Sequence, residues 1–264
     1  MLAPTATKIP ETARGRVLVC GSHAGGYAGY LAARARVRAV VLNDAGVGLD
    51  EAGIGALGHC QALGIAAAAV SHDSACIGDA EDMLAHGVIS HRNVIAAKVG
   101  VSVGMACAEA VALLSGAPPG RGDDATYDEV RAEVGVNHHG LRIVCVDSVS
   151  LVTSHDIGQI VLSGSHGGVV SGQRNLAIRV AAAAAFYNDA GIGKDEAGVG
   201  RLPVLDGQGI AAATVTAASA RIGDGRSTYE SGTLSRVNAA AAGLGIASGM
   251  PAREAVELVV PAVI

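Results

Sequence analysis

The stretch Asn188-Asp189-Ala190-Gly191-Ile192-Gly193-Lys194-Asp195-Glu196-Ala197-Gly198 repeats, with few changes, an earlier one, Asn43-Asp44-Ala45-Gly46-Val47-Gly48-Leu49-Asp50-Glu51-Ala52-Gly53. Such a recurrence constrains a fold more tightly than composition does, because one supersecondary unit has to satisfy both copies. The correspondence extends outwards on both sides. Gly21-Ser22-His23 returns as Gly164-Ser165-His166, Gly64-Ile65-Ala66-Ala67-Ala68 as Gly209-Ile210-Ala211-Ala212-Ala213, and Ile77-Gly78-Asp79 as Ile222-Gly223-Asp224. The chain reads as an internal duplication, with an N-terminal repeat over residues 1–118, a linker over 119–140 and a C-terminal repeat over 141–264.

Within each copy, short apolar runs are each followed by a Gly-rich turn and then a helical pattern, the signature of parallel strands joined by βαβ crossovers. Strands are expected at residues 16–20, 38–42 and 65–70 of the first copy. In the second they are expected at 143–146, 159–162, 181–187 and 210–215. Helices are expected at 27–36, from Asp50 to about Gly64, from Asp79 through Val99, and at 105–114. Their counterparts run from the turn at 164–168 to Ile178, through the repeated motif to Leu205, from Asp224 onward, and over 251–260. The expected fold class is therefore α/β: two tandem duplicated βαβ-type units with mostly parallel strands, related by a pseudo-twofold axis.

Half of the residues are hydrophobic, yet there is one Phe, no Trp and five Tyr beside 37 Gly. Thin helices lying close on a sheet, or on a second subunit, suit that composition, and a homo-oligomer is expected. A net charge of -5 argues against a general nucleic-acid binder, which needs clustered Lys and Arg to neutralise phosphates. The five cysteines are odd in number and form no C-x-x-C pair, which predicts a reducing compartment and a cytoplasmic protein. No secretion-signal pattern opens the sequence, and no apolar run is long enough to span a membrane.

In an open parallel sheet the functional crevice lies outside the carboxyl ends of the strands, where the recurring polar pairs fall. Ser165-His166 follows one strand and Asn188-Asp189 the next, so neighbouring strand ends, about 5 Å apart, bring His166 within reach of Asp189. The catalytic candidates are His166, Asp189, Ser165, Asn188 and Asp195. His166 transfers protons, Asp189 fixes its tautomer or binds a metal, and Asn188 polarises a carbonyl together with backbone N–H groups. Ser165 is a secondary candidate for a covalent nucleophile, because adjacent residues on an extended segment point apart. The first copy adds Ser22, His23, Asn43 and Asp44 as binding residues.

The copies also differ. Leu49, Ala56, Cys76 and Glu81 of the first are matched by Lys194, Arg201, Arg221 and Arg226 of the second, whereas His72-Asp73 is matched by Ala217-Ala218. The C-terminal crevice is the more cationic, and Lys194, Arg221 and Arg226, with Glu196 and Asp224, are expected to bind a carboxylate or phosphate. A bland alternative accompanies each candidate. Asp50, Asp79, Asp195 and Asp224 can serve as helix caps, and the glycines of the motif as turn residues with positive φ.

There is no G-x-S-x-G nucleophile elbow, phosphate loop or G-x-G-x-x-G dinucleotide turn, and His138-His139 reads as a surface loop rather than a metal site. The sequence thus points to a cytosolic enzyme on a small anionic metabolite, hydrolysis ahead of lyase or isomerase chemistry. A divalent metal held by His and Asp is the next variant. The rival from another class is a non-catalytic binding or assembly protein, in which the repeated motif is a turn-and-cap device.

Overall fold

The computed structural model describes residues 1–172 and 177–261. In the first half, β1 (Leu2–Ala3), β2 (Val17–His23), β3 (Ala39–Asn43), β4 (Ala66–Val70) and β5 (Ile89–Arg92) form a five-stranded sheet in that order. The first four strands are parallel and β5 is antiparallel at the edge. The helices are α1 (Gly26–Arg34), α2 (Ala56–Ala62), α3 (Ala80–His86), α4 (Val94–Lys98) and α5 (Cys107–Leu114).

The second half holds β6 (Arg131–Val136), β7 (Arg142–Val146), β8 (Ile160–His166), β9 (Ala184–Asn188), β10 (Ala211–Val215) and β11 (Leu234–Val237). They form a six-stranded sheet in the order β11-β10-β9-β8-β7-β6. Strands β7 to β10 are parallel, and both edge strands are antiparallel. Its helices are α6 (Arg201–Asp206), α7 (Gly225–Glu230), α8 (Ala239–Gly243) and α9 (Ala252–Ala255). The architecture is α/β, two mostly parallel units related by a pseudo-twofold axis.

Alternation along the strands buries both sheet faces. In the first half Leu18, Val40 and Ala67 pack with Ala28, Ala32 and Leu57 of α1 and α2, while Val19, Val41 and Ala68 pack with Met83 and Leu114 of α3 and α5. In the second half Leu162, Phe186 and Ala213 meet Ala241 and Ala252, while Val161, Ala185 and Tyr187 meet Leu202 and Leu205.

Four expectations are corrected. The helix expected from Asp79 through Val99 is broken by β5, as its counterpart is by β11. These edge strands are short and carry polar residues, Ser-His-Arg in β5 and Ser-Arg in β11, so they give no buried-strand signal. Asp50 and Asp195 do not start helices. Asp50-Glu51 and Asp195-Glu196 sit in 3-10 turns with φ between 53° and 56°, and α2 and α6 begin later. The segment 119–140, expected as a linker, carries β6. No helix follows β8 among the described residues. The expected one ended at Ile178, and its residues 173–176 lie outside the described residues.

Both first strands bulge at the same place. Between β2 and β3 the register runs from Val19↔Val41 to His23↔Asn43, and between β8 and β9 from Leu162↔Phe186 to His166↔Asn188. Each of the longer strands therefore spends two extra residues at its Gly-Ser-His end. A Cβ on Gly21 would stand 2.8 Å from Gly78 backbone, and one on Gly164 2.2 Å from the Asp224 nitrogen. The Gly78 and Gly223 N–H groups donate to the Gly21 and Gly164 carbonyls, each at 2.7 Å. The Gly-Ser-His and Ile-Gly-Asp islands recur together because they touch.

Candidate functional site

The repeated Asn-Asp motif forms the junction between the halves. Residues 45–48 and 190–193 all have positive φ, a run that costs on the order of 1–3 kcal/mol per non-glycine residue unless its surroundings impose it. The imposition comes from the other half. The Leu49 N–H donates to the Ala217 carbonyl and the Lys194 N–H to the His72 carbonyl, both at 2.8 Å. A Cβ on Gly46 would sit 2.9 Å from Gly191 Cα. Ala45, Ile77, Ala190 and Ile222 close a small apolar core across the axis.

Asn43 and Asn188 serve this junction, and the role of carbonyl polariser expected for Asn188 is not supported. Both are fully buried. Each donates from Nδ2 to a carbonyl, of Ala75 or Ala220, and accepts at Oδ1 from the N–H two residues on. Asp189 is also structural: its Oδ1 accepts from the Gly191 N–H at 2.9 Å and the Ala217 N–H at 2.8 Å. It makes no hydrogen bond to His166 among the described residues.

Asp44 Oδ1 accepts from the Gly46 N–H and from both the backbone and the ring of His72, the ring at 2.8 Å. Burial raises the Asp44 carboxyl, but the bonds from His72 outweigh it and leave the group below its ordinary range. The same hydrogen bond raises His72.

Other expected binding residues are committed elsewhere. Lys194 Nζ lies 2.6 Å from Asp82 Oδ1 in the other half, a bond that raises the lysine. Asp195 approaches Cys76, and Glu196 lies 3.8 Å from Arg236. Arg226 is exposed on α7 and lines no cavity. Asp79 and Asp224 are true helix caps, accepting from the N–H groups of Glu81 and Asp82 and of Ser227.

Ser22, His23, Ser165, His166, Arg221 and Asp224 do come together, around a cavity of about 530 Å³ between the halves. That volume is in the range of small-molecule sites, roughly 300–1,000 Å³. The serines are bound as acceptors: the Ala6 N–H donates to Ser22 Oγ and the Val149 N–H to Ser165 Oγ, each at 2.9 Å. Neither contacts its neighbouring histidine, so no Ser-His nucleophile is assembled.

The histidines are different. Gly25 N–H donates to His23 Nδ1 and Gly168 N–H to His166 Nδ1, each at 3.1 Å. A ring that accepts at Nδ1 carries its proton at Nε2, and neither Nε2 has a partner among the described residues. Burial lowers His23 to about 4. Burial also lowers His166 well below the ordinary histidine range, helped by the Arg201 charge and by His23. Both rings are neutral at pH 7 and line the cavity as Nε2–H donors, with their tautomers set by glycine N–H groups rather than by Asp189.

Arg201 is the residue that the sequence reading left out of the site. It is 5% exposed, donates to the Gly168 and Ala177 carbonyls and stacks over Tyr187 at 5.2 Å. No carboxylate reaches it among the described residues, and it lines the cavity. Its signal was present in the sequence as the replacement of Ala56. Arg201 occupies the face that α1 covers in the first half, where Gly29 meets Ala56.

Tyr27, Tyr127, Glu129 and Asp147 also line the cavity and were missed. Among the described residues no group of three or more His, Cys, Asp or Glu is placed to hold a metal ion, so the expected His-Asp metal site is not assembled. No described helix is long and apolar enough to cross a membrane. No protein-family model, curated protein or solved structure matches the chain.

Proposed function

We propose that this chain is a cytoplasmic enzyme that binds a small carboxylate-bearing metabolite between its halves and hydrolyses it through an oxyanion. The observation that carries this reading is a buried guanidinium that, among the described residues, has no carboxylate partner, beside two neutral imidazoles whose Nε2–H groups have no partner among those residues either. A buried cation without a counter-charge is costly, and a substrate carboxylate on Arg201 relieves that cost. The Nε2–H donors of His23 and His166 are held in place by backbone hydrogen bonds. They therefore stabilise negative charge developing on a carbonyl oxygen without reorganising. Neutral imidazole suits this role, because lowered basicity keeps the ring a donor rather than a proton sink.

A panel of small esters, amides and lactones bearing a free carboxylate tests this reading. His166→Gln is expected to lower kcat by about a hundredfold with KM little changed and melting unaltered. Turnover that survives in both His23→Gln and His166→Gln would overturn it. A second reading is a ligand-binding protein without turnover, favoured by the serines being spent on backbone N–H groups. Tight carboxylate binding with no hydrolysis anywhere in the panel would select it.

A further inference from the structure

The cavity has a second chemical pole. Tyr27 and Tyr127 stand with ring centroids 5.1 Å apart, and Tyr30 lies 5.3 Å from Tyr127, so three of the chain's five tyrosines gather at this end. Beside them lie Glu129, Asp147 and Asp224, all lining the cavity. Among the described residues none of the three forms a salt bridge with a lysine or arginine.

Asp147 is held by the Val130 and Gly225 N–H groups, and Asp224 caps α7. Among the described residues no lysine, arginine or backbone N–H group pairs with Glu129, and the Tyr27 hydroxyl lies against it. Burial and the Asp147 charge raise the Glu129 carboxyl, while the Tyr27 hydroxyl opposes them, as expected where carboxylates are crowded and partly buried; the exposed Arg221, which also lines the cavity, is paired with Asp50 at 3.6 Å. The same cavity is lined by His166, which is 7% exposed with its Nε2–H unpartnered, and by Arg201. One chamber is therefore lined both by a buried cation with imidazole N–H donors and by carboxylates with tyrosine rings.

We propose that the ligand is a zwitterion, a small molecule whose carboxylate meets Arg201 and whose other end presents an ammonium or amidinium group to Glu129 and the Tyr127 ring. A cation over a tyrosine face and against a carboxylate satisfies both. The inference rests on the carboxylate reading of Arg201 and narrows its substrate class.

Titration calorimetry with matched probes tests it: γ-aminobutyrate against butyrate and butylamine, and ε-aminocaproate against hexanoate and hexylamine. At least one zwitterion is expected to bind about tenfold or more tightly than its plain carboxylate, the yield of one charge-assisted hydrogen bond. Glu129→Gln is expected to bring that ratio within about threefold, and Tyr127→Leu, at an exposed ring, to reduce it as well. Using a ratio within each variant cancels any general loosening of the fold. Plain carboxylates that bind as well as the zwitterions, or a ratio unmoved by both variants, overturn this inference alone. If neither kind of carboxylate binds, the reading of Arg201 falls too.

Discussion

The first half closes its sheet with a helix, whereas the second, at the corresponding place, shows no helix among the described residues, and one arginine holds residues on either side. In the first, α1 lies on α2, and Gly29 lets the helices approach until a Cβ there would stand 2.9 Å from Ala56. In the second, Arg201 replaces Ala56 and ties down the Gly168 and Ala177 carbonyls. What the halves have in common is the bulge, the Asn-Asp turn and the junction. Where they differ, at α1, Arg201 and Arg221, the cavity opens. In this molecule most shared residues record assembly, the paired histidines excepted, and the candidate anion-binding arginine lies in the asymmetry.

The junction offers the largest effect. Gly46→Ala and Gly191→Ala each force a Cβ to 2.9 Å from backbone of the other half at a positive φ. Each is expected to cost more than about 3 kcal/mol in urea unfolding, a large share of the roughly 5–15 kcal/mol of a typical domain. The contact between the two glycines is reciprocal, and the His72 ring at 2.7 Å from a Cβ on Gly191 adds to the cost on that side. A mild effect at one glycine and a severe effect at the other would break the equivalence of the halves.

Next is Arg201→Met, which leaves the Gly168 carbonyl without its donor and the Ala177 carbonyl to the Tyr187 hydroxyl, and should cost about 2 kcal/mol. Amide exchange is expected to quicken in residues 167–172 and 177–183 and to stay slow in α1. Uniform quickening would mean that Arg201 supports the whole protein rather than the residues it holds.

The sheets were legible in the sequence because each buried parallel strand is an unbroken apolar run, such as Ala39–Asn43 or Ala211–Val215, ending in a Gly-rich turn. The edge strands Ile89–Arg92 and Arg131–Val136 were not, since half-exposed strands carry polar residues that read as helix or loop. The site was legible only in part. The reading brought out His23 and His166, which line the cavity, and with them Asn188 and Asp189, whose side-chain hydrogen bonds go to backbone groups. Sequence places a polar pair at a strand end without showing whether its hydrogen bonds are used by backbone. Here a run of left-handed residues turns the chain so that Asp189 meets the Gly191 and Ala217 N–H groups. Glu129 and Tyr127 were missed because they belong to neither copy.

A smaller effect separates the halves by pH. His72 bonds Asp44, whereas Ala217 stands at the matching place beside Asp189. His72 is raised by its bond to Asp44, so its contribution is full below the ordinary histidine range and is lost as pH rises through the folded-state value. Asp44, lowered in the folded protein, contributes above the ordinary carboxylate range and loses that contribution as pH falls through its own folded-state value. The pair therefore stabilises most between the two, from about pH 4 to about 6.5. His72→Ala should remove about 1 kcal/mol at pH 6 and less at pH 8. Equal losses at both would show that packing of the ring on Gly191, not its charge, matters.

The smallest effect belongs to Lys194→Leu, which gives the second half the residue of the first. The Lys194–Asp82 bridge crosses the junction at 2.6 Å and is partly exposed, so its loss should cost no more than about 1 kcal/mol and shrink as salt is added. Carboxylate binding should not change, because Lys194 lies outside the cavity although the repeat pattern places it among the cations. Weakened binding in this variant, with stability intact, would return Lys194 to the site and move the anion pole from Arg201 towards the junction.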